Sequence, residues 1–212
     1  NKKFVFDENL IERIESEEPL PREFYAKNVV IVSQNLLGKI LVRVDNEKIL
    51  AGRIVEVEAY DGEDDPASHA YKGMTERNKV MWDFPGKVYV YTIYGIHYCL
   101  NIVAEPKGVP AAVLIRALQP LVGIREMMKN RNIKDVRNLT NGPARLTKAL
   151  NITKDLNGVD ATLKSELYVV RDILGKKFEI GVSTRIGITR GKEKPWRFYI
   201  RNNPFTSKKE VR

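Results

Sequence analysis

The chain is poor in the residues that most often announce a chemistry. It has one cysteine, Cys99, among 212 residues, so no intrachain disulfide is possible. A chain of this length buries roughly 70% of its unfolded surface without such staples. Its two histidines, His69 and His97, are too few for a Cys/His zinc site of ordinary ligand spacing. There is no glycine-rich phosphate loop, no dinucleotide fingerprint and no nucleophile elbow. No apolar run approaches the ~18 residues of a membrane span, so no membrane association is expected. Internal repeats and low-complexity tracts are also missing. The single cysteine, and the lack of a signal-peptide pattern in NKKFVFDENLIERIES, predict a cytoplasmic protein, associated with the nucleoid if the source is bacterial.

What the chain does have is positive charge. Lys and Arg total 36 against 27 Asp and Glu, a net charge of +9. That balance suits a polyanionic partner, most simply nucleic acid, although basic proteins without such a partner are common. The acids are unevenly spread. Glu56, Glu58, Asp61, Glu63, Asp64 and Asp65 fall within ten residues that contain no basic side chain.

Hydrophobic spacing organises the rest. Residues 1–19 read as a polar arm with a short amphipathic helix at ENLIERIE, and residues 20–212 as one domain. NVVIVSQNLLGK reads as a helix. KILVRVDNEKILAGRIVEVEAY alternates on both sides of DNEK, predicting a hairpin whose second strand is 49–60. Residues 61–86 form a long irregular connection, of the kind that is usually functional or disordered. KVYVYTIYGIHYCLNIVAE predicts a second hairpin turning near Tyr94-Gly95. An aromatic tip there implies contact with something, or burial under a neighbouring loop. AAVLIRALQP reads as a buried strand interrupted by Arg116, which needs a carboxylate partner such as Glu56 or Glu58. PLVGIREMMKNRN reads as a helix beginning at its proline, and NGPARLTKALNI as a short helix with Pro143 in its first turn. ELYVVRD, STRIGIT and PWRFYIRNN read as strands. The expected fold class is α+β: a single mixed domain with a curved, largely antiparallel β-sheet, flanking helices and a protruding β-hairpin.

The strand VEVEAYDG places Glu56, Glu58 and Tyr60 on one face and Val55, Val57 and Ala59 on the other. Glu is depleted in strands, so a pair on one face calls for a reason. Three are open at this point. Glu58 could be a general base acting on water, whose anion would also stabilise an oxocarbenium-like sugar. The acids at 56–65 could bind Mg²⁺ in a metal-dependent nuclease. Or both could lie on a solvated edge strand.

Several longer motifs occur in an order that narrows the choice: LLGKILVR, GRIVEVEAYDG, ASHAYKGMTERN, PGKVYVYTIYGIHYCLNIV, VLIRALQP, NGPARLTKAL, TRIGI and PWRFYIRNNPF. From about Leu20 to Thr206 the sequence resembles the alkyladenine (3-methyladenine) DNA glycosylases. The resemblance implies a monofunctional base-excision repair hydrolase that acts on alkylated or deaminated purines in double-stranded DNA. It implies a monomer, no cofactor and no metal. It assigns Glu58 as general base and Arg116 as a second contact to the attacking water, with a main-chain carbonyl expected within EIGVSTR. It implies a base pocket of Tyr60, His69, Tyr91 and Asn101, and a DNA-intercalating wedge at Tyr94. Since the motif gives the chemistry to Glu58, Glu56 is read as a structural partner, to an arginine. The residues themselves make Cys99 a core residue of the hairpin rather than a nucleophile, and Arg77 and Asn78 hold their loop, with phosphate contact as the alternative. After Tyr94-Gly95 the chain has IHYC where the human-type tip is richer in Met and aromatics, and His97 is expected on the DNA-facing surface, with simple exposure as the alternative.

Overall fold

A computed structural model describes residues 8–208. Five helices, α1 (Glu8–Glu15), α2 (Arg22–Tyr25), α3 (Val29–Leu36), α4 (Ile124–Arg131) and α5 (Pro143–Ala149), flank one antiparallel sheet among these residues. Its strands are β1 (Ile40–Asp45), β2 (Lys48–Tyr60), β3 (Val88–Ile93), β4 (His97–Ala104), β5 (Ala111–Val122), β6 (Leu167–Val170), β7 (Ile180–Ser183) and β8 (Arg197–Ile200). The order is β3-β4-β5-β2-β1-β6, with β8 pairing both β2 and β7, and the sheet curls into a half-barrel. This is the expected α+β class. The start of the polar arm, residues 1–7, lies outside the described residues. In α1, Leu10 and Ile14 bury against Ile40, Val42, Tyr168 and Val170.

The long strand β2 organises the molecule. Its first half pairs with β1, and its second half lies between β5 and β8. Register shifts near Gly52 and Glu56 mark bulges, which bend a strand and increase its twist. Val55, Val57 and Ala59 join the main core with Leu41, Val113 and Ile115. Glu56 and Glu58 are fully buried, so the solvated edge strand is excluded: strands flank both edges of this segment.

Two hairpins form where the turn chemistry predicts. Asn46 and Glu47 both take positive φ between β1 and β2. Tyr94 (φ 52) and Gly95 (φ 71) do so between β3 and β4, the pattern of a primed type I turn. Two expectations are corrected. The helix read from Pro120 starts at Ile124, because Pro120 and Val122 continue β5. Pairing with β4 ends at Leu114, so Pro120 sits where that side of β5 is no longer in the ladder and an N–H can be dispensed with. Gly123, at φ 79, then turns the chain into α4. STRIGIT is a strand only as far as Ser183. From Thr184 the polar groups turn instead to carboxylates of β2 and of the connection after it, described below.

Candidate active site

Tyr60 ends β2, Tyr91 lies on β3, Cys99 and Asn101 on β4, and Leu114 and Arg116 on β5. Their side chains converge because these positions face one side of the curl. The irregular connection adds Pro66, Ala67 and His69, and the stretch after β7 adds residues 186–190. Together they line a cleft of about 450 Å³, within the range of small-molecule sites. Arg116, Tyr60, His69, Tyr91 and Asn101 all line it, and Tyr94 stands at its rim, 89% exposed.

Glu58 lies beneath the wall of this cleft with both oxygens held. The Tyr60 hydroxyl donates to Oε1 at 2.8 Å and the Ile186 N–H to Oε2 at 2.7 Å. Arg116 Nη1 stands 3.6 Å from Oε1. A carboxylate offers about four acceptor directions, so lone pairs remain for a water proton. The backbone group brought to Glu58 is one residue beyond EIGVSTR, and it is an amide donor.

Glu56, two residues earlier, is differently occupied. Its Oε2 accepts from Arg116 Nε (2.8 Å), Arg197 Nε (3.2 Å) and Ser207 Oγ (2.6 Å), and its Oε1 from the Ser207 N–H (2.8 Å). Burial pushes its carboxyl upward, but Arg197 and Arg116 outweigh this and hold it below the usual range. For Arg116, burial favours the neutral form, and Glu58 and Glu56 more than reverse this. The expected arginine partner of Glu56 is therefore a pair of arginines. Asp65 of the acidic stretch is buried and bidentate to Arg185. Among the described residues, no group of three His, Cys, Asp or Glu is placed to hold a metal ion, and Glu63 and Asp64 are exposed.

The aromatic wall is a cluster. The His69 and Tyr91 rings lie 4.1 Å apart, and His69 Nδ1 is 3.0 Å from the Tyr89 hydroxyl. Crowding by protein, then the charge of Arg77, lowers the His69 pKa. Burial raises the Tyr89 hydroxyl to about 12, and burial with Glu58 raises that of Tyr60 well beyond its ordinary value. Both phenols stay protonated at neutral pH. Asn101 donates its amide to the Tyr89 carbonyl at 3.2 Å. Cys99 is buried opposite Tyr91, and burial pushes its thiol upward, the character of a core residue.

The loop between Tyr60 and β3 is tied internally. Asn78 donates to the His69 and Gly73 carbonyls and accepts from the N–H of Thr75. Arg77 donates to the Thr92 carbonyl at 2.6 Å and lies over the Tyr91 ring. Both residues hold the loop as expected. His97 is exposed opposite Ile93, at the base of the tip.

Sequence reasoning missed Arg185, Ile186, Arg197 and Ser207. An arginine-rich C-terminal region was visible, but Arg185 and Asp65 are 120 positions apart, and no local spacing links them.

The sequence profile of the methylpurine-DNA glycosylases (MPG) matches residues 23–204. A protein of Carboxydothermus hydrogenoformans is 50% identical over 190 residues, covering 90% of this chain and 99% of its own. One of Clostridium novyi (strain NT) is 48% identical over 202 residues, covering 90% and 98%. One of the Methanocella arvoryzae strain is 47% identical over 195 residues, covering 90% and 96%. All three carry the name "Putative 3-methyladenine DNA glycosylase".

Proposed function

Because the chain belongs to the methylpurine-DNA glycosylase family, we propose that it is a base-excision repair glycosylase. It hydrolyses the N-glycosidic bond of alkylated or deaminated purines in double-stranded DNA, such as 3-methyladenine, 7-methylguanine, hypoxanthine and ethenoadenine. One observation carries the reading: a buried carboxylate, Glu58, held at both oxygens beneath an aromatic cleft whose rim bears an exposed tyrosine.

The reaction site of a stacked base is out of reach, so the damaged nucleotide is flipped out of the duplex at a cost of a few kcal/mol, least for damaged bases. Tyr94 fills the vacated space in the manner of an apolar wedge. The base enters between Tyr60 on one side and His69 and Tyr91 on the other, where stacking contributes about 1–3 kcal/mol. Asn101 borders this pocket and discriminates against the 2-amino group of normal guanine. Arg116 helps to orient a water that Glu58 deprotonates on one face of the deoxyribose as the purine leaves on the other. The Glu58 anion also stabilises the developing positive charge on the sugar.

3-Methyladenine and 7-methylguanine already carry a positive charge while bonded to the sugar and leave as neutral bases, whereas hypoxanthine and ethenoadenine need a proton. No lysine nucleophile takes part, so base release is not followed by strand cleavage through β-elimination. The protein acts as a monomer inside the cell, without cofactor or metal. A nuclease built on the acids at 56–65 is less well supported, because Glu56 and Asp65 are engaged by arginines.

The test is release of free base from a panel of lesion-bearing duplexes, with and without EDTA. Base release unaffected by EDTA, with strand breaks only after alkali, is expected. EDTA-sensitive strand cleavage without free base would favour the nuclease.

A further inference from the structure

The Arg185 hydrogen bonds go to Ala59, Asp65 and Gly191 rather than to Glu58, yet its neighbours hold both Glu58 oxygens. Its side chain is fully buried. Nη1 donates to the Ala59 carbonyl (3.0 Å) and to Asp65 Oδ2, and Nη2 to Asp65 Oδ1 (2.9 Å) and the Gly191 carbonyl (3.1 Å). Asp65 in turn accepts from the N–H groups of Asp61 and Ala67. The guanidinium carbon lies 4.7 Å from the Tyr60 ring centroid and 5.3 Å from that of Trp196.

The two donors to Glu58 flank this guanidinium. The Tyr60 hydroxyl, which holds Oε1, belongs to the ring that Arg185 covers. The Ile186 N–H, which holds Oε2, belongs to the next residue of the chain. The Arg185–Asp65 pair also joins two walls of the cleft, since Pro66 and Ala67 follow Asp65 and residues 186–190 follow Arg185.

The arrangement is costly as a stabiliser. A fully buried ion pair often does no better than apolar residues of the same volume, and Arg185 Nε is buried with no acceptor among the described residues. Its return is positional: one planar cation fixes three chain segments, at Ala59, Asp65 and Gly191, with a rigid fork of donors that lysine lacks.

Resting on the glycosylase reading above, we infer that Arg185, locked by Asp65, is a positioning residue that aims the Glu58 carboxylate through the Ile186 N–H and the Tyr60 ring. Loosening it frees one or both donors. A displacement of about 1 Å lowers a rate about 100-fold.

The experiment is single-turnover base release by the full chain on a duplex that the wild type processes. It uses Arg185→Lys, Glu58→Gln and the double variant, read together with lesion-duplex affinity. A wild type that releases no base from any lesion overturns the glycosylase reading itself, before a variant is compared. With an active wild type, Arg185→Lys is expected to release base about 100-fold more slowly at nearly unchanged affinity. It should cause little further loss in the Glu58→Gln background. An unchanged rate overturns the inference. So does the full loss persisting when Glu58 is already gone, since that is what a general structural role would give. If Arg185→Lys does not fold, Asp65→Asn, which keeps the guanidinium and its carbonyl acceptors, is judged by the same criteria.

Discussion

Glu56 and Glu58 are neighbours on one face of one strand, both fully buried, and they should fail in opposite ways when neutralised. Consider Glu56→Gln. Three donors converge on Oε2 and one on Oε1. If the new carbonyl oxygen takes the place of Oε2, the new NH₂ group faces the Ser207 N–H. If it is turned round, that group faces Arg116, Arg197 and the Ser207 hydroxyl. Either way Arg116 and Arg197, 8% and 5% exposed, lose a shared anion. Breaking one side of such a buried pair costs about 3–5 kcal/mol. For a protein of this size that lowers Tm by about 6–20 °C.

Chemical and thermal unfolding of the variant measure this loss directly. The pH dependence supplies a second check. Arg197 and Arg116 hold the folded carboxyl below its ordinary range despite burial. The stabilisation is therefore complete above the ordinary Glu value of about 4.3 and disappears as pH falls through the lower folded value. The gap between wild type and Glu56→Gln should close on acidification below about pH 4. A variant within about 1 kcal/mol of the wild type at neutral pH would refute the reasoning.

Three further outcomes follow. Tyr94 holds a left-handed φ of 52 at an exposed tip, so Tyr94→Gly should stabilise the fold by up to about 1 kcal/mol while weakening affinity for a lesion duplex; equal affinity would show that the tip stays outside DNA. His69 has a folded pKa below its ordinary value of about 6.5, so the unfolded chain takes up this proton first and stability declines as pH falls below that value. Once the folded ring is charged it repels a cationic base, so binding of a 7-methylguanine duplex should weaken at low pH relative to His69→Phe; parallel pH curves in fluorescence anisotropy would count against the pocket assignment. Duplex affinity should also fall steeply with salt, as phosphate contacts by Lys and Arg require, and a flat salt dependence would argue against a DNA partner.

Much of this was legible in the sequence because the physics is local. The alternation in β1 and β2, the Tyr94-Gly95 turn and the need of Arg116 for a carboxylate are fixed by neighbours within a few residues. The order of the motifs separated Glu58 from Glu56, which residue type alone could not. Local reasoning failed where distant contacts override it. Pro120 remains in a strand because β4 has stopped pairing there. The stretch after Ser183 leaves the ladder, with Arg185 bound to Asp65 and the Ile186 N–H bound to Glu58. The acidic stretch at 56–65 looked like a single feature, yet its buried members divide between Arg116 and Arg197, the Glu58 site, and Arg185.

The most direct test of Glu58 as the base is single-turnover release of hypoxanthine or ethenoadenine by Glu58→Gln, with duplex affinity measured alongside. Binding should persist while the rate falls by about 10²–10⁴, the usual share of a general base. Base release at the wild-type rate by a folded Glu58→Gln protein would contradict the assignment.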